Sequence, residues 1–187
     1  MPVAVFDIDG VVADTGTAII EIIKKDLGKS WITLNDITEY EINNLSCLSE
    51  EDIKYLIVRF NQPEFYLSLS PSDGAQKAIQ TLKDADWKII FLTARPQFLY
   101  NVTHYWLKFH NFPFDDLIIC QALEKPKYCA NFTQSMLIED RPDIINEIGR
   151  RYPHIRLFVF NQPWNQNVKA GIRINNFEEL LNLTLDL

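Results

Sequence analysis

The sequence predicts an α/β fold: a Rossmann-like parallel sheet with helices on both faces and a small helical cap inserted after the first strand. Two observations predict it. Five short apolar runs, at residues 3–8, 87–92, 117–120, 135–138 and 155–160, alternate with amphipathic stretches, the pattern of strands joined by right-handed helical crossovers. The stretch from about Asp14 to Ser70 is too long for one crossover and carries no strong strand signal.

The helical periodicities follow in order. In the inserted segment, Ser49-Glu50-Glu51-Asp52 precedes Ile53, Leu56, Ile57 and Phe60, giving a capping residue, an acidic first turn and one apolar face. Pro63 and then Pro71-Ser72-Asp73-Gly74 punctuate the return to the sheet. Ala75, Ala78, Ile79 and Leu82 form a buried face on a helix capped near Ser72 or Asp73. Leu99, Val102 and Trp106 repeat the pattern, as do Ile144, Ile145 and Ile148. The expected division is therefore a sheet-bearing core at 1–14 and 71–187, with a helical cap at 15–70.

With 187 residues and 47% hydrophobic content, the chain is long enough for one substantial core and a modest insertion. Its formal net charge of -7 disfavours binding to polymeric nucleic acid and points to a small-molecule substrate. Cys47, Cys120 and Cys129 are an odd set without close paired spacing, which suits a reduced, cytoplasmic setting. No basic leader opens the sequence and no apolar run reaches membrane-spanning length, so no membrane partner is expected. A homodimer is compatible with the sequence.

The most informative segment is Phe6-Asp7-Ile8-Asp9-Gly10, where an apolar strand runs into two aspartates spaced by two. On an extended chain both side chains point to one side, at the carboxyl end of a parallel strand where such sheets form their ligand crevice. One carboxylate can attack while its neighbour moves a proton. A phosphate dianion facing two carboxylates requires a cation such as Mg²⁺. An EF-hand is excluded, because the sixth position from Asp7 is Val12 rather than glycine.

Further candidates stand at the other strand ends. Thr93 and the backbone N–H groups of Ala94 and Arg95 can hold phosphate oxygens. Lys125, with Lys127 as its competitor, offers a point charge to a phosphoryl oxygen. Glu139 and Asp140 form a second acidic cluster. Each has an ordinary structural explanation alone; nucleophile, hydroxyl, lysine and acid arriving in order at four strand ends point together to a catalytic site.

Through Asp7-Ile8-Asp9-Gly10, Thr93, Lys125 and Glu139-Asp140, the chain resembles the haloacid dehalogenase superfamily of phosphohydrolases. The resemblance implies that Asp7 becomes an aspartyl phosphate, that Asp9 acts as acid and then base, and that Glu139 or Asp140 completes a Mg²⁺ site with Asp7 and Asp9. Pro63-Glu64-Phe65-Tyr66 with the segment from Leu69 to Ala75 resembles the cap-to-core return of the 5'(3')-deoxyribonucleotidases. Thr33 to Tyr40, Ile138-Glu139-Asp140 and Phe160-Asn161-Gln162-Pro163-Trp164-Asn165 resemble bacterial and phage nucleotidase-like members. The last acidic motif departs from the family in having Glu139 where Asp-Asp is common.

The implied function is a Mg²⁺-dependent phosphomonoester hydrolase, a 5'(3')-nucleotidase for nucleoside or deoxynucleoside monophosphates. A polynucleotide 3'-phosphatase, a sugar-phosphate phosphatase and a non-catalytic metal- or phosphate-binding regulatory module remain as alternatives. Among the aromatics Trp31, Tyr40, Phe60, Phe65 and Tyr66, at least three are expected to fill the cap core, and Phe65 is expected to bind substrate by stacking on a base.

Overall fold

The computed structural model describes residues 1–130 and 135–185. Six parallel strands, β1 (Val3–Phe6), β2 (Lys88–Thr93), β3 (Asp116–Ile119), β4 (Ser135–Glu139), β5 (Arg156–Phe160) and β6 (Ile172–Ile174), form one sheet in the order β3-β2-β1-β4-β5-β6. The chain moves outward from β1 in one direction to β2 and β3, then in the other through β4, β5 and β6. The strand order thus reverses at β1, and the sheet has its ligand crevice beyond the carboxyl end of that strand.

Alternation along β1 divides the core between the two sheet faces. Ala4 and Phe6 pack with α4 (Ala75–Asp84), α5 (Tyr100–Phe109) and α8 (Phe177–Leu185). Val3 and Val5 face the opposite way, toward Cys129 of α6 (Lys125–Ala130) and Ile144, Ile145 and Ile148 of α7 (Pro142–Arg151).

Two local expectations are corrected. The sixth strand has only three residues at the sheet edge, too short a signal for periodicity to reveal. The first helix after the insertion begins at Ala75 rather than being capped by Ser72 or Asp73. Gly74 is its N-cap, at a φ of 75°, a left-handed conformation that glycine adopts without the steric cost of a side chain.

Residues 15–70 contribute α1 (Thr15–Asp26), α2 (Glu50–Phe60), α3 (Pro63–Ser68) and two 3₁₀ turns. Ser49 caps α2 as its sequence suggests, exchanging hydrogen bonds with Asp52. Ile20, Ile23, Ile32, Ile37, Leu45, Leu48 and Leu56 make a separate small core here. The outgoing and returning chains meet at one place, where Asp14 N donates to Ser70 O and Ser72 N donates to Val12 O. The Trp106 indole secures the return by donating to Leu69 O at 2.8 Å.

Candidate active site

The site is assembled at the ends of three strands. Asp7 follows β1 directly, Thr93 and Glu139 are the last residues of β2 and β4, and Asp140 comes next. Lys125 arrives from the first turn of α6 and is fully buried. Its Nζ lies 2.8 Å from Asp7 Oδ1 and 2.9 Å from Glu139 Oε2. Of the two lysines considered, Lys125 is the one in the site; Lys127 is exposed.

Asp7, Glu139 and Asp140 bring their carboxylate oxygens within 4.8 Å of one another. Asp9 does not join them. The chain bends tightly after β1, with Val12 N and Ala13 N both donating to Ile8 O, so the simple extended geometry expected for the two aspartates does not hold. The Asp9 carboxylate is gripped by Arg95, whose Nε and Nη2 donate to its two oxygens at 2.8 Å each. Thr15 Oγ1 adds a bond to Asp9 Oδ1 at 3.1 Å.

Arg95 is itself fixed, donating to Thr103 Oγ1 at 3.2 Å and lying 4.5 Å from the centroid of the Tyr66 ring. Its backbone N–H donates to Thr93 Oγ1 at 3.2 Å, so that group is already partnered by the neighbouring hydroxyl. Ala94 is exposed and lines the crevice.

These surroundings divide the carboxyl groups electrostatically. Burial, reinforced by Glu139, raises Asp7 to about 8 despite the attraction of Lys125. Burial and the charges of Glu139 and Asp7 push Asp140 well above the carboxylate range. Burial also opposes the Asp9 charge, but Arg95 and Thr15 more than compensate and hold Asp9 below its ordinary value. Lys125 is raised because its two carboxylate partners outweigh its desolvation.

The donor set suits a hard divalent cation, which favours oxygen ligands. Three carboxylates against one ammonium leave an excess of negative charge when ionised. Asp140 Oδ1 is buried without a hydrogen-bond partner among the described residues, a costly arrangement that a cation would relieve.

Above the site is a crevice of roughly 250 Å³, lined by Asp7, Asp9, Thr93, Ala94, Arg95 and Lys125 and by Tyr40, Phe60, Phe65 and Tyr66. A second chamber of roughly 220 Å³ adjoins it, sharing Asp9, Thr15, Ile19, Tyr40 and Phe60 and ending against Asp140 and Trp164. Contrary to the expectation that most of the aromatics fill the cap core, four of the five line the crevice. Phe65 and Tyr66 pack into the main core rather than the cap cluster, and Trp31 is exposed beside Lys29.

The sequence alone assigned no chemistry to Trp164, Asn165 or Thr15, nor to Arg141, which lines the crevice with its guanidinium 4.6 Å from the Tyr40 ring centroid. The available signal was position: Asn161 to Asn165 follow β5 as Asp7 follows β1.

Known proteins are similar to this chain over nearly its whole length. The family model described as "5' nucleotidase, deoxy (Pyrimidine), cytosolic type C protein" matches residues 1–186. YqfW, a candidate nucleotidase of Bacillus subtilis (strain 168), is 26% identical over 175 residues, covering 92% of this chain and 88% of that protein. BH1399, a candidate nucleotidase of Halalkalibacterium halodurans, is 26% identical over 176 residues, covering 92% and 87%. The crystal structure of a predicted phosphatase from Clostridium acetobutylicum superposes with a TM-score of 0.66 at 19% identity, covering 100% of this chain and 99% of that one. A HAD family hydrolase from Deinococcus radiodurans R1, with bound phosphate and sodium, gives 0.66 at 12%, covering 100% and 96%. These two share the fold. With carboxylates gathered at the ends of adjacent parallel strands and residues 1–186 matched, the chain belongs to the 5' nucleotidase, deoxy (pyrimidine), cytosolic type C family.

Proposed function

We propose that the protein hydrolyses nucleoside or deoxynucleoside monophosphates through a phosphorylated Asp7, with Mg²⁺ held by Asp7, Glu139 and Asp140. The observation that carries this reading is the convergence of those carboxylates with Lys125 beneath an aromatic-walled crevice. The bound cation would neutralise the repulsion between the carboxylates and a phosphate dianion.

The chain's own groups divide the work. The free carboxylate oxygen of Asp7 attacks phosphorus as the bond from phosphorus to the leaving oxygen breaks. Lys125 and Thr93 hold the non-bridging oxygens. The leaving alkoxide takes a proton from Asp9, and water, giving a proton back to Asp9, then attacks the aspartyl phosphate to release inorganic phosphate. In the present arrangement Arg95 keeps Asp9 anionic, the form required for the second step. The first step needs the Arg95 fork to open, and an incoming phosphate oxygen is a competing partner for that guanidinium.

A phosphate-release screen over nucleoside monophosphates, sugar phosphates and 3'-phosphorylated oligonucleotides, with Mg²⁺ and with EDTA, tests the reading. Release from nucleotides only with Mg²⁺ is expected; activity confined to another substrate class refutes the nucleotidase assignment.

Cation binding should also depend on pH. A proton on Asp7 or Asp140 competes with the cation, and both groups are raised, Asp7 to about 8. Mg²⁺ affinity is therefore expected to increase as pH rises toward 8, with proton release on binding. Calorimetric titrations in buffers of different ionisation enthalpy measure both; a flat affinity between pH 6 and 8, on the order of the range set by that shift, contradicts the assignment.

Phe65 is the expected base contact. Its ring lies 4.9 Å from Phe60 and 5.2 Å from Tyr66, centroid to centroid, and only 4% of the residue is exposed. Such burial makes it structural as well as part of the wall. Phe65→Ala should cost about 3–5 kcal/mol of stability and a further 1–3 kcal/mol, roughly, in nucleotide recognition. The expected result is a larger loss of kcat/KM for a nucleotide than for p-nitrophenyl phosphate; equal losses, with a lower Tm, refute base stacking by Phe65.

A further inference from the structure

The turn after β5 has no part in the chemistry just described, yet it grips Asp140 from behind. Trp164 Nε1 donates to Asp140 Oδ2 at 2.9 Å. Asn165 Nδ2 donates to the backbone carbonyls of Asp140 and Phe160, both at 2.9 Å. Asn165 is fully buried and its Oδ1 accepts from Arg173 Nη1 at 2.7 Å, so the turn is itself held to β6. Gln162 Nε2 donates to Gly10 O at 2.7 Å, linking the same turn to the loop that carries Asp9.

The two oxygens of Asp140 are treated differently. Oδ2 has the indole; Oδ1 is buried with no hydrogen-bond partner among the described residues. Gly10 leaves the space for this pair: a Cβ there would overlap Asp140 Oδ2 and come within 3.3 Å of Trp164 Cζ2. Gly10 also has a φ of 78°, which further disfavours a side chain.

We infer that Trp164 is a positioning residue for the cation site. Its indole N–H pins one oxygen of Asp140 and turns the other toward the point shared with Asp7 and Glu139, while Gly10 provides the room. A carboxylate hydrogen-bonded on one oxygen has fewer orientations to lose when the other binds a cation, and such supporting bonds typically change metal affinity by 10–100-fold. The inference rests on reading Asp7, Glu139 and Asp140 as the cation site. It assigns a function to the Pro163-Trp164-Asn165 turn beyond joining β5 to β6.

Trp164→Phe removes the donor and keeps most of the ring. Mn²⁺ binding to the metal-free protein, followed by electron paramagnetic resonance, is expected to weaken by about 10–100-fold, with excess Mg²⁺ returning phosphate release toward the wild-type kcat. If wild-type protein binds no Mn²⁺, the cation-site reading fails and this inference falls with it. If wild type binds and Trp164→Phe binds within about twofold of it, well short of the supporting-bond effect, the inference alone is overturned. Should the variant fail to fold, the wild-type indole N–H resonance of Trp164 decides the matter in an NMR titration with Mg²⁺: movement along the metal saturation curve supports positioning, and a signal that does not move overturns it.

Discussion

Asp7→Asn is expected to reduce phosphate release by at least about 10⁴-fold, because an amide cannot serve as the attacking oxygen and the groups around a nucleophile act as a unit. Substrate should still bind, since Lys125, Thr93 and the aromatic wall are unchanged. Stopped turnover with measurable nucleotide binding is therefore the predicted result, and near-normal turnover would exclude the covalent route.

The same substitution has a pH signature. Folding carries the Asp7 carboxyl from 3.8 to about 8 in the metal-free protein. Below roughly pH 4 it is protonated in both states, and the stability linked to its raised pKa is fully present. As pH climbs toward 8 the unfolded chain ionises it easily while the folded chain resists, so that stability is progressively lost. Asparagine has no proton to lose. The Tm of metal-free Asp7→Asn should therefore gain on wild type as pH rises between those limits; a constant difference would show that Asp7 is not held protonated by its surroundings.

Lys125→Met should give a large loss of stability, of the same order as that of Phe65→Ala but dependent on pH and Mg²⁺. The ammonium is fully buried between Asp7 and Glu139. Removing one partner from such a cluster leaves uncompensated buried charge, at a typical cost of about 3–5 kcal/mol. For a chain of this size that corresponds to a fall in Tm on the order of 10 °C. The loss should be greatest at high pH, because at low pH the carboxylates can protonate instead. Mg²⁺ should restore part of it by supplying the missing positive charge. Phosphate release should fall even at saturating Mg²⁺, because the contact to the phosphoryl oxygen is gone. An unchanged Tm in EDTA would mean that Lys125 does not compensate the buried carboxylates.

The sequence by itself determined five of the sheet's strands, missing only the short β6 among those described, and named most of the groups at their carboxyl ends. Continuous apolar runs mark parallel strands because both of their faces are covered, and the ends of those runs, at Asp7, Thr93 and Glu139, are the positions that a parallel sheet gathers at one edge. The Ser49–Asp52 cap of α2 was equally legible, being a local arrangement with a local signature.

Only the tertiary structure decided which groups meet. Asp7 and Asp9 are alike in sequence, two residues apart, yet one pairs with Lys125 and the other with Arg95, 86 positions away. Lys125 and Lys127 are told apart by burial and position: Lys125 is buried against Asp7 and Glu139, and Lys127 is exposed. The link from Trp164 to Asp140 has no local signature, because it spans 24 positions and depends on how the turn after β5 folds back across the end of β4. Periodicity reports which face of an element is buried; it carries no information about distances between distant side chains. Those distances set hydrogen bonding and charge, and through them the difference between an Asp9 held anionic and an Asp7 raised to about 8.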